Sequence, residues 1–313
     1  MSLIEQAAER LEQLKKAGVV VPAAPAAAET VAPAGEQAPA AADPALAPTR
    51  DSGKRRARRA GQAESRRVVI DLQRLAAAGF VTSDSERSQI AEEFRVIKRP
   101  VLQNVRGKTA GPVDHANLVM VTSALPGEGK TFTALNLALS LATELDHTVL
   151  LVDADVARPS VLDALALPKS KGLLDVLTDR NLGLGDVLLK TNIDKLSILP
   201  AGTPHRKATE LLASEAMGDL VAEMADRYSD RIIVFDSPPL LPTTEARVLA
   251  THMGQVLMVV EADRTTQSSV KQALATVEAC PIVLMVLNRA ARSEVGTYYA
   301  GAYGAYGHQG AQA

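Results

Sequence analysis

The sequence predicts an α/β fold with a mostly parallel central sheet and helices on both of its faces. Two observations lead to this prediction. Short stretches rich in Val, Ile and Leu recur along the chain, mostly without polar alternation, which is typical of strands buried on both faces. Helical patterns separate them, and a repeated strand, helix, strand order indicates parallel strands. The predicted strands are 117–123, 148–155, 196–202, 231–237, 255–262 and 281–288, and the helices between them include 131–145, 208–228 and 265–279.

The composition indicates a globular chain with an aliphatic core. The 313 residues are 47% hydrophobic, with no Trp and four Phe. A net charge of −2 gives no overall attraction to nucleic acid or anionic surfaces, so any such attraction has to be local. The single cysteine, Cys280, lies in an apolar run and can form no intrachain disulfide. Because no signal peptide opens the chain and no apolar run approaches about 20 residues, we expect a cytoplasmic protein.

The first 67 residues differ in composition and hydrophobic pattern from the rest of the chain. Residues 1–17 place apolar side chains at helical spacing on a charged segment, which predicts an amphipathic helix. Residues 18–67 predict a disordered linker, because six prolines and thirteen alanines fill residues 21–49 without a periodic apolar face. Residues 50–67 carry eight basic and two acidic side chains. This basic segment is either a solvated run or a site attracted to anionic lipid or nucleic acid, and the folded domain is expected over 68–290.

The loop after the first of these strands carries the clearest chemical signal. It reads ALPGEGKT, residues 124–131, and a predicted helix follows it. Glycines let backbone N–H groups point at a phosphate, and the start of the helix adds its positive end. Lys130 would reach the β and γ phosphates, and the Thr131 hydroxyl would bind Mg²⁺. The loop departs from the phosphate-binding pattern at one place, where Ala124 replaces the usual first glycine.

Three aspartates follow two other predicted strands. Asp153 and Asp155 end one strand, and Asp236 ends another. A buried carboxylate needs a cation or hydrogen-bond donors, and the carboxyl ends of parallel strands lie on one edge of a sheet. Three aspartates on the edge that carries Lys130 therefore indicate a site for a nucleotide and a metal. The alternative is that these aspartates cap helices.

Three motifs, taken in chain order, resemble those of a known family. ALPGEGKT, VLLVDADVARP and IIVFDSPPLL resemble the Walker A, Walker A′ and Walker B motifs of the bacterial tyrosine kinases, P-loop relatives of the partition ATPases. GLLDVLT, SILPAGTP, TELL and VLNR follow in the family's order, so the resemblance spans roughly residues 80–290. MSLIEQAAERLEQLKKAG and IAEEFRVIKRP resemble more closely the tyrosine autokinases of exosortase-associated exopolysaccharide systems. The resemblance implies a P-loop NTPase fold of the MinD/ParA-like class.

The resemblance also implies which residues carry the chemistry, with ATP and Mg²⁺ as cofactors. Asp153 becomes the candidate to activate the attacking phenol, and Asp155 and Asp236 complete an acidic cluster. Asn288 is implied to read the adenine edge with Arg289 beside the base, and the alternative for Asn288 is a turn residue that ends a strand. The implied catalytic residues are Lys130, Asp153, Asp155 and Asp236; the implied nucleotide contacts are Gly127, Glu128, Gly129, Lys130, Thr131, Phe132, Asn288 and Arg289; the implied metal-holding residues are Thr131, Asp153 and Asp236.

A helix with the family's E-x-x-R-x-x-R pattern is implied to build a ring of subunits. Glu92 and Arg95 match this pattern. Lys98 stands at the third position, where it keeps the charge and lacks the planar, two-pronged geometry of arginine. The alternative is an ordinary solvated helix face.

The segment after the predicted domain, 291–313, holds four of the five tyrosines among glycine and alanine. Such a segment is expected to be flexible and to offer little steric resistance to entering an active site. We therefore interpret Tyr298, Tyr299, Tyr303 and Tyr306 as acceptors of phosphate between subunits, each gaining about −1.5 to −2 charges. An inert low-complexity end is the alternative.

The implied function is an ATP-dependent protein-tyrosine autokinase that regulates exopolysaccharide polymerisation or export. The alternatives are a ParA-like ATPase acting on DNA and a nucleotide-sensing scaffold without kinase activity. Leu125 argues against the first, because the partition ATPases have a lysine at this position. The implied partners are further copies of the chain in a ring and a membrane-embedded regulator of polysaccharide chain length. Residues 1–67 are the candidate contact with the inner face of the membrane.

Overall fold

The structure, a computed structural model, describes residues 66–82, 88–107, 111, 113–227 and 230–291. The strands are β1 Arg66–Arg67, β2 Leu118–Ser123, β3 Thr148–Asp153, β4 Leu189–Lys190, β5 Leu196–Leu199, β6 Arg231–Asp236, β7 Gln255–Glu261 and β8 Ile282–Asn288. The helices are α1 Leu72–Ala77, α2 Gln89–Val105, α3 Lys130–Ala142, α4 Val161–Ala164, α5 Leu173–Thr178, α6 Leu184–Val187, α7 Ala208–Leu212, α8 Glu215–Arg227, α9 Glu245–Ala250 and α10 Gln267–Ala275.

The strands form one sheet in the order β1-β4-β5-β3-β6-β2-β7-β8. Of its strand pairs, β4–β5 is antiparallel and the others are parallel. Every residue of β2 and β7 is buried, as the continuous apolar runs predicted. The register sets Asp153 of β3 opposite Asp236 of β6, so two of the predicted site carboxylates end at the same edge.

The sheet separates two apolar cores, and alternate residues of its strands face opposite cores. In β2, Leu118 and Met120 belong to one core, and Val119 and Val121 belong to the other. The second core is covered by α2 and α3, and α3 is buried from Thr133 to its end. The first core is covered by α5, α8, α9 and α10. This layering confirms the predicted α/β fold and fixes the start of α3 beside the end of β2.

The structure corrects three details of the prediction. The sheet begins at Arg66 instead of residue 68, because β1 pairs with β4. The predicted helix 208–228 divides into α7 and α8, since Ser214 lies between them and its hydroxyl accepts a hydrogen bond from Met217 N. The strand predicted over 281–288 is an edge strand, so Leu287 is 64% exposed. Within the described ranges, no helix combines the length and the hydropathy of a membrane span.

Candidate active site

The loop between β2 and α3 has the backbone of a phosphate-binding turn. Gly127 and Gly129 adopt φ angles of 87° and 95°, in the left-handed region that favours glycine. At Gly129, a Cβ atom would lie 2.1 Å from Nδ2 of Asn288, so a side chain there is excluded by contact as well as by conformation. The loop leads directly into α3, whose first residue is Lys130. This arrangement sets the unpaired N–H groups of a helix start beside the edge of the sheet.

The first two residues of α3 place their polar groups among the predicted site residues. Nζ of Lys130 lies 2.6 Å from Oδ2 of Asp155, and both side chains are largely buried. The hydroxyl oxygen of Thr131 lies 2.8 Å from that of Ser160. Ser160 carried no signal in the sequence beyond its place after a proline. Lys130 and Thr131 therefore face the loop that follows β3, and their predicted contacts with phosphate and Mg²⁺ stay predictions.

The side chain of Phe132, a predicted nucleotide contact, packs into the core. Its ring packs against Phe80, with centroids 5.2 Å apart, and against Phe94, with centroids 6.5 Å apart. The ring thus belongs to the core between α2 and α3 and is no side-chain ligand for a nucleotide. The sequence could not show this, because a phenylalanine after a phosphate-binding loop fits either role.

Asp153, at the end of β3, acts partly as a helix cap, which was the alternative to a metal site, and Asp155 closes the turn before α4. Oδ2 of Asp153 accepts hydrogen bonds from Ser160 N and Val161 N, at 3.2 and 3.1 Å. Oδ1 of Asp155 accepts a hydrogen bond from Arg158 N at 3.2 Å. However, Oδ1 of Asp153 is buried without a hydrogen-bond partner. Capping accounts for one oxygen of Asp153 and leaves the other unexplained.

Asp236, at the end of β6, caps no helix in the described part of the chain, so capping does not explain its burial. Its side chain is fully buried, and among the described residues neither carboxylate oxygen has a hydrogen-bond partner at normal distance. Burial raises its pKa to about 6, although the charge of Lys130 and the nearby Thr131 hydroxyl oppose the rise. Burial, followed by the charge of Asp236, raises the pKa of Asp153 to about 7. Two buried carboxyl groups with unpaired oxygens therefore adjoin the phosphate-binding loop.

These unpaired oxygens fit a divalent cation bound together with a phosphate. In the described part of the chain, no group of three or more His, Cys, Asp or Glu side chains is placed to hold a metal by itself. Mg²⁺ suits such a site, because it commonly takes one or two protein oxygens and completes its shell with phosphate and water. The predicted metal-holding residues Thr131, Asp153 and Asp236 fit this chemistry.

The end of β8 lies against the phosphate-binding loop. Nδ2 of Asn288 donates a hydrogen bond to the carbonyl oxygen of Glu128 at 2.9 Å. Arg289 extends in the other direction, and its Nη1 lies 2.7 Å from Oε1 of Glu261. The predicted contacts of Asn288 and Arg289 with an adenine base stay predictions. The contact of Asn288 with the loop is a finding.

The side chain of Glu128 has a role that the sequence reasoning missed. The residue is 2% exposed, and its Oε2 accepts a hydrogen bond from Leu125 N at 2.6 Å. Its Oε1 accepts a hydrogen bond from the hydroxyl of Thr265, which follows β7. The sequence assigned only the backbone of Glu128 to the site. The signal in the sequence was the presence of an acidic residue inside a phosphate-binding loop, where a negative charge would repel phosphate. Nothing in the sequence singled out Thr265.

The three residues predicted to join subunits do not share one environment. Glu92 and Arg95 form an ion pair on the exposed side of α2. Lys98 is 7% exposed, and its ammonium donates to Ser140 O within the same chain. The charge of Lys98 is thus already paired within its own chain, with Glu144, and its predicted contact with another subunit stays a prediction.

Three groups of predictions lie wholly or mostly outside the described residues. The candidate phosphoacceptors Tyr298, Tyr299, Tyr303 and Tyr306 are among them, as is the predicted amphipathic helix 1–17. Most of the basic segment 50–67 also lies outside, and only its last two residues are described. These predictions stay predictions.

Comparison with known proteins identifies relatives of the described domain. Residues 117–283 match a family described as an AAA domain. The chain is 35% identical to the tyrosine-protein kinase YwqD of Bacillus subtilis over 161 residues, which cover 50% of this chain and 66% of that protein. It is 31% identical to the tyrosine-protein kinase CpsD of Streptococcus agalactiae, covering 61% of this chain and 81% of that protein.

A longer relative and a solved structure extend this comparison. The chain is 30% identical to the succinoglycan biosynthesis transport protein ExoP of Rhizobium meliloti, covering 70% of this chain and 27% of that protein. The chain thus corresponds to about a quarter of ExoP. The structure of the kinase domain of the Escherichia coli tyrosine kinase ETK is similar with a TM-score of 0.54 and 26% identity, covering 64% of this chain and 78% of that domain.

Proposed function

The chain belongs to the bacterial tyrosine-protein kinases, and on that premise we propose that it transfers phosphate from ATP to tyrosines of its own carboxyl-terminal segment. One observation carries the proposal. The strands β2, β3 and β6 bring Lys130, Asp153 and Asp236 to one edge, where buried carboxylate oxygens have no hydrogen-bond partner in the part of the chain that the structure describes. A loop with two left-handed glycines adjoins them. This is the arrangement that binding of a nucleotide with Mg²⁺ requires.

In phosphoryl transfer, the site residues position the phosphates and neutralise their charge. The N–H groups of residues 127–131 and the ammonium of Lys130 hold the phosphates, for which Lys130 has to leave Asp155. Mg²⁺, when bound through Thr131, Asp153 and Asp236, supplies positive charge to the phosphate oxygens. The phenol oxygen bonds to the γ phosphorus, the bond from that phosphorus to the β-bridging oxygen breaks, and ADP leaves.

Asp153 is our candidate acceptor of the phenol proton. Without a cation, burial and the charge of Asp236 raise its pKa to about 7; Mg²⁺ beside it would lower this pKa and keep the carboxylate ionised, as a proton acceptor has to be. Its oxygen Oδ1 has no hydrogen-bond partner among the described residues, whereas Oδ2 is held by two backbone N–H groups. The carboxyl group is therefore fixed in orientation, with Oδ1 directed to the metal or to the phenol proton.

The cellular setting is the second part of the proposal. We infer an ATP-dependent autokinase that regulates exopolysaccharide production, because the chain aligns with part of a succinoglycan transport protein. Such a domain would act on the inner face of the membrane beside a membrane-embedded regulator of chain length. The ring of subunits would use the exposed ion pair of Glu92 and Arg95. The alternatives of a DNA-stimulated ATPase and of a nucleotide-sensing scaffold are outcomes of the test below.

The test uses the full chain, labelled ATP and Mg²⁺, followed by mapping of the label. We expect phosphate on Tyr298, Tyr299, Tyr303 and Tyr306, and its loss in Lys130→Met. Lys271→Met is the matched control, since Lys271 lies exposed on α10. ATP hydrolysis that DNA stimulates, without phosphotyrosine, would contradict the kinase and favour a partition-type ATPase. Nucleotide binding with neither hydrolysis nor phosphotyrosine would favour the scaffold.

Transfer between subunits needs a separate experiment. A variant with all four tail tyrosines replaced by Phe keeps its active site, and Lys130→Met keeps its tail. When the two are mixed with labelled ATP, label on the Lys130→Met chain shows transfer from one subunit to another. Absence of label in the mixture, with label on the wild-type chain alone, would restrict transfer to a single chain.

A further inference from the structure

We propose that Glu128 and Thr265 form a brace that holds the phosphate-binding loop in its nucleotide-binding shape before the nucleotide arrives. The inference rests on the proposed function, since it concerns the same nucleotide site. It assigns to both side chains a positioning role that governs nucleotide affinity. Neither residue is proposed to touch the reacting atoms.

The Glu128 carboxylate is compensated by hydrogen bonds alone. It is buried, and in the described part of the chain no Lys, Arg or His forms an ion pair with it. A buried carboxylate without a cation is costly unless hydrogen bonds compensate for lost water. Here each oxygen has its own donor, Leu125 N for Oε2 and the Thr265 hydroxyl for Oε1. The charge is compensated by two groups that belong to different parts of the chain.

The hydrogen bonds of the Thr265 hydroxyl show which partner receives its proton. Its oxygen accepts a hydrogen bond from Glu261 N at 3.3 Å, while Thr265 N donates to Glu261 O at 3.1 Å. Because the oxygen is already an acceptor, its proton is free to be donated to Glu128. The hydroxyl therefore connects the end of β7 to the middle of the phosphate-binding loop.

Glu128 is held by hydrogen bonds to both its side chain and its backbone. The carbonyl oxygen of Glu128 also accepts the hydrogen bond from Asn288 at the end of β8. Two neighbouring strands, β7 and β8, thus hold Glu128 by its side chain and its backbone. The bond from Leu125 N to the Glu128 carboxylate closes the loop on itself. A loop fixed at these points has less conformational freedom to lose when it binds a ligand.

Loss of the brace is expected to change KM and kcat differently. A loop held in shape improves the binding of substrate and of transition state equally, so its loss raises KM with little change in kcat. A residue that only stabilised the fold would lower the melting temperature and leave the affinity of the folded protein unchanged. The two roles are therefore separable by measurement.

The experiment measures binding of ADP with Mg²⁺ to the full chain by calorimetry. Thr265→Val removes the hydroxyl at constant size and is expected to raise the Kd of ADP about tenfold, the size of one hydrogen bond's contribution. Thr265→Ser keeps the hydroxyl and is expected to restore the Kd to within threefold. Thr276→Val is the matched control, since the Thr276 hydroxyl bonds only to Ala273 O at the far end of α10. If Thr265→Val does not fold, Thr265→Ala serves the same test.

Coupling between the two residues gives the second readout. Glu128→Ala should raise the Kd of ADP at least as much as Thr265→Val, and the double variant should be no worse than Glu128→Ala alone. Effects that multiply, or a Kd for Thr265→Val within twofold of wild type, would overturn the brace. ADP carries no γ phosphate, so a chain that binds ADP through this brace and forms no phosphotyrosine would refute the kinase proposal alone.

Discussion

Two buried lysines lie at opposite ends of α3, and their surroundings differ in one respect. Lys130 begins the helix and lies 2.6 Å from Asp155 Oδ2. Lys98, which belongs to α2, lies at the carboxyl end of α3 and 2.8 Å from Glu144 Oε1. Each lysine thus forms an ion pair with little exposure to water.

The difference lies in the neighbouring polar groups. The three N–H groups of Lys98 have three acceptors, namely Glu144, Ser140 O and the Thr143 hydroxyl. Beside Lys130, by contrast, the carboxylates of Asp153 and Asp236 keep unpaired oxygens. Buried polar groups in native proteins are nearly always paired, so unpaired ones require an explanation. The contacts of Lys98 form a complete cluster, whereas the cluster around Lys130 is incomplete, and beside a phosphate-binding loop a bound nucleotide with Mg²⁺ would supply its missing partners.

The pKa values follow the same division. Burial raises the pKa of Glu144, but the hydrogen bond and charge of Lys98, with smaller contributions from Arg106 and His147, outweigh it and leave the pKa lowered. At the other end of α3, burial prevails, and the pKa values of Asp153 and Asp236 are raised. The protein alone stabilises the ionised form of Glu144, whereas it disfavours the ionised forms of Asp153 and Asp236, which an added cation would stabilise.

The largest expected effect follows from removing the lysine of the incomplete cluster. Lys130→Met is expected to lower the rate of phosphotyrosine formation by about 1,000-fold, because a positioned charge on the transferred phosphate is lost. The measurement is the initial rate with ATP and Mg²⁺, with circular dichroism to confirm that the variant folds. Activity within tenfold of wild type would mean that Lys130 resembles Lys98 in serving only the fold.

The second prediction concerns the pH dependence of stability without nucleotide. The folded pKa of Asp153, about 7, lies above its unfolded value of 3.8, so the folded state disfavours its ionisation. Stability is therefore lost as the pH rises from about 4, and the loss is complete above about 7. Asp153→Asn removes this loss and should gain on the order of 2 kcal/mol more stability at pH 8 than at pH 5. Urea unfolding at both pH values measures the gain.

A bound nucleotide should cancel the advantage of Asp153→Asn. With ADP and Mg²⁺ present, the wild-type carboxylate has a cation and its ionisation no longer destabilises the fold. The difference between variant and wild type at pH 8 should then shrink or reverse. An equal gain with and without ADP and Mg²⁺ would mean that the unpaired oxygen of Asp153 has no connection to the metal.

The sequence predicted the fold well because buried parallel strands are recognisable as continuous apolar runs. Six strands and the helix that begins at Lys130 lie close to their predicted bounds. The two-residue strands β1 and β4 were not predicted, because two residues carry no periodicity. The division between α7 and α8 depends on Ser214 acting as a cap, which a helical pattern on both sides conceals.

The site was predicted in part, and the reason is the distance in sequence between its members. Lys130, Asp153 and Asp236 were identifiable because each follows a recognisable strand. Thr265 lies 137 residues from Glu128, and no local pattern links the two. At Lys98 a motif position suggested a contact between subunits, and no local pattern showed that the packing of α2 on α3 would bury the residue. Local patterns locate the edge of the sheet, and only packing decides which side chains meet there.

The third prediction removes the lysine of the complete cluster. Lys98→Met leaves Glu144, Ser140 O and the Thr143 hydroxyl without their shared donor, and should lower the free energy of unfolding by about 2 kcal/mol at pH 7. Because the pKa of Glu144 is lowered in the fold, its ionised form stabilises the protein above its unfolded pKa of 4.5, and this contribution is lost as the pH falls. The effect of Lys98→Met should therefore diminish in acid. Affinity for ADP that fell tenfold would show that the two ends of α3 are not independent.

The smallest effect is expected at the rim of the complete cluster. Arg106 lies 3.9 Å from Glu144 Oε2 and 3.6 Å from Asp146 Oδ2, and its side chain is 40% exposed. Exposed pairs at such distances contribute little, so Arg106→Ala should cost about 0.5 kcal/mol or less in urea unfolding, and 0.5 M salt should abolish most of that. The cost of Lys98→Met should persist in the same salt, because water and ions do not reach a buried ammonium. If Arg106→Ala cost as much as Lys98→Met, the number of ion pairs would matter more than their burial and completeness, and the contrast between the two ends of α3 would lose its physical basis.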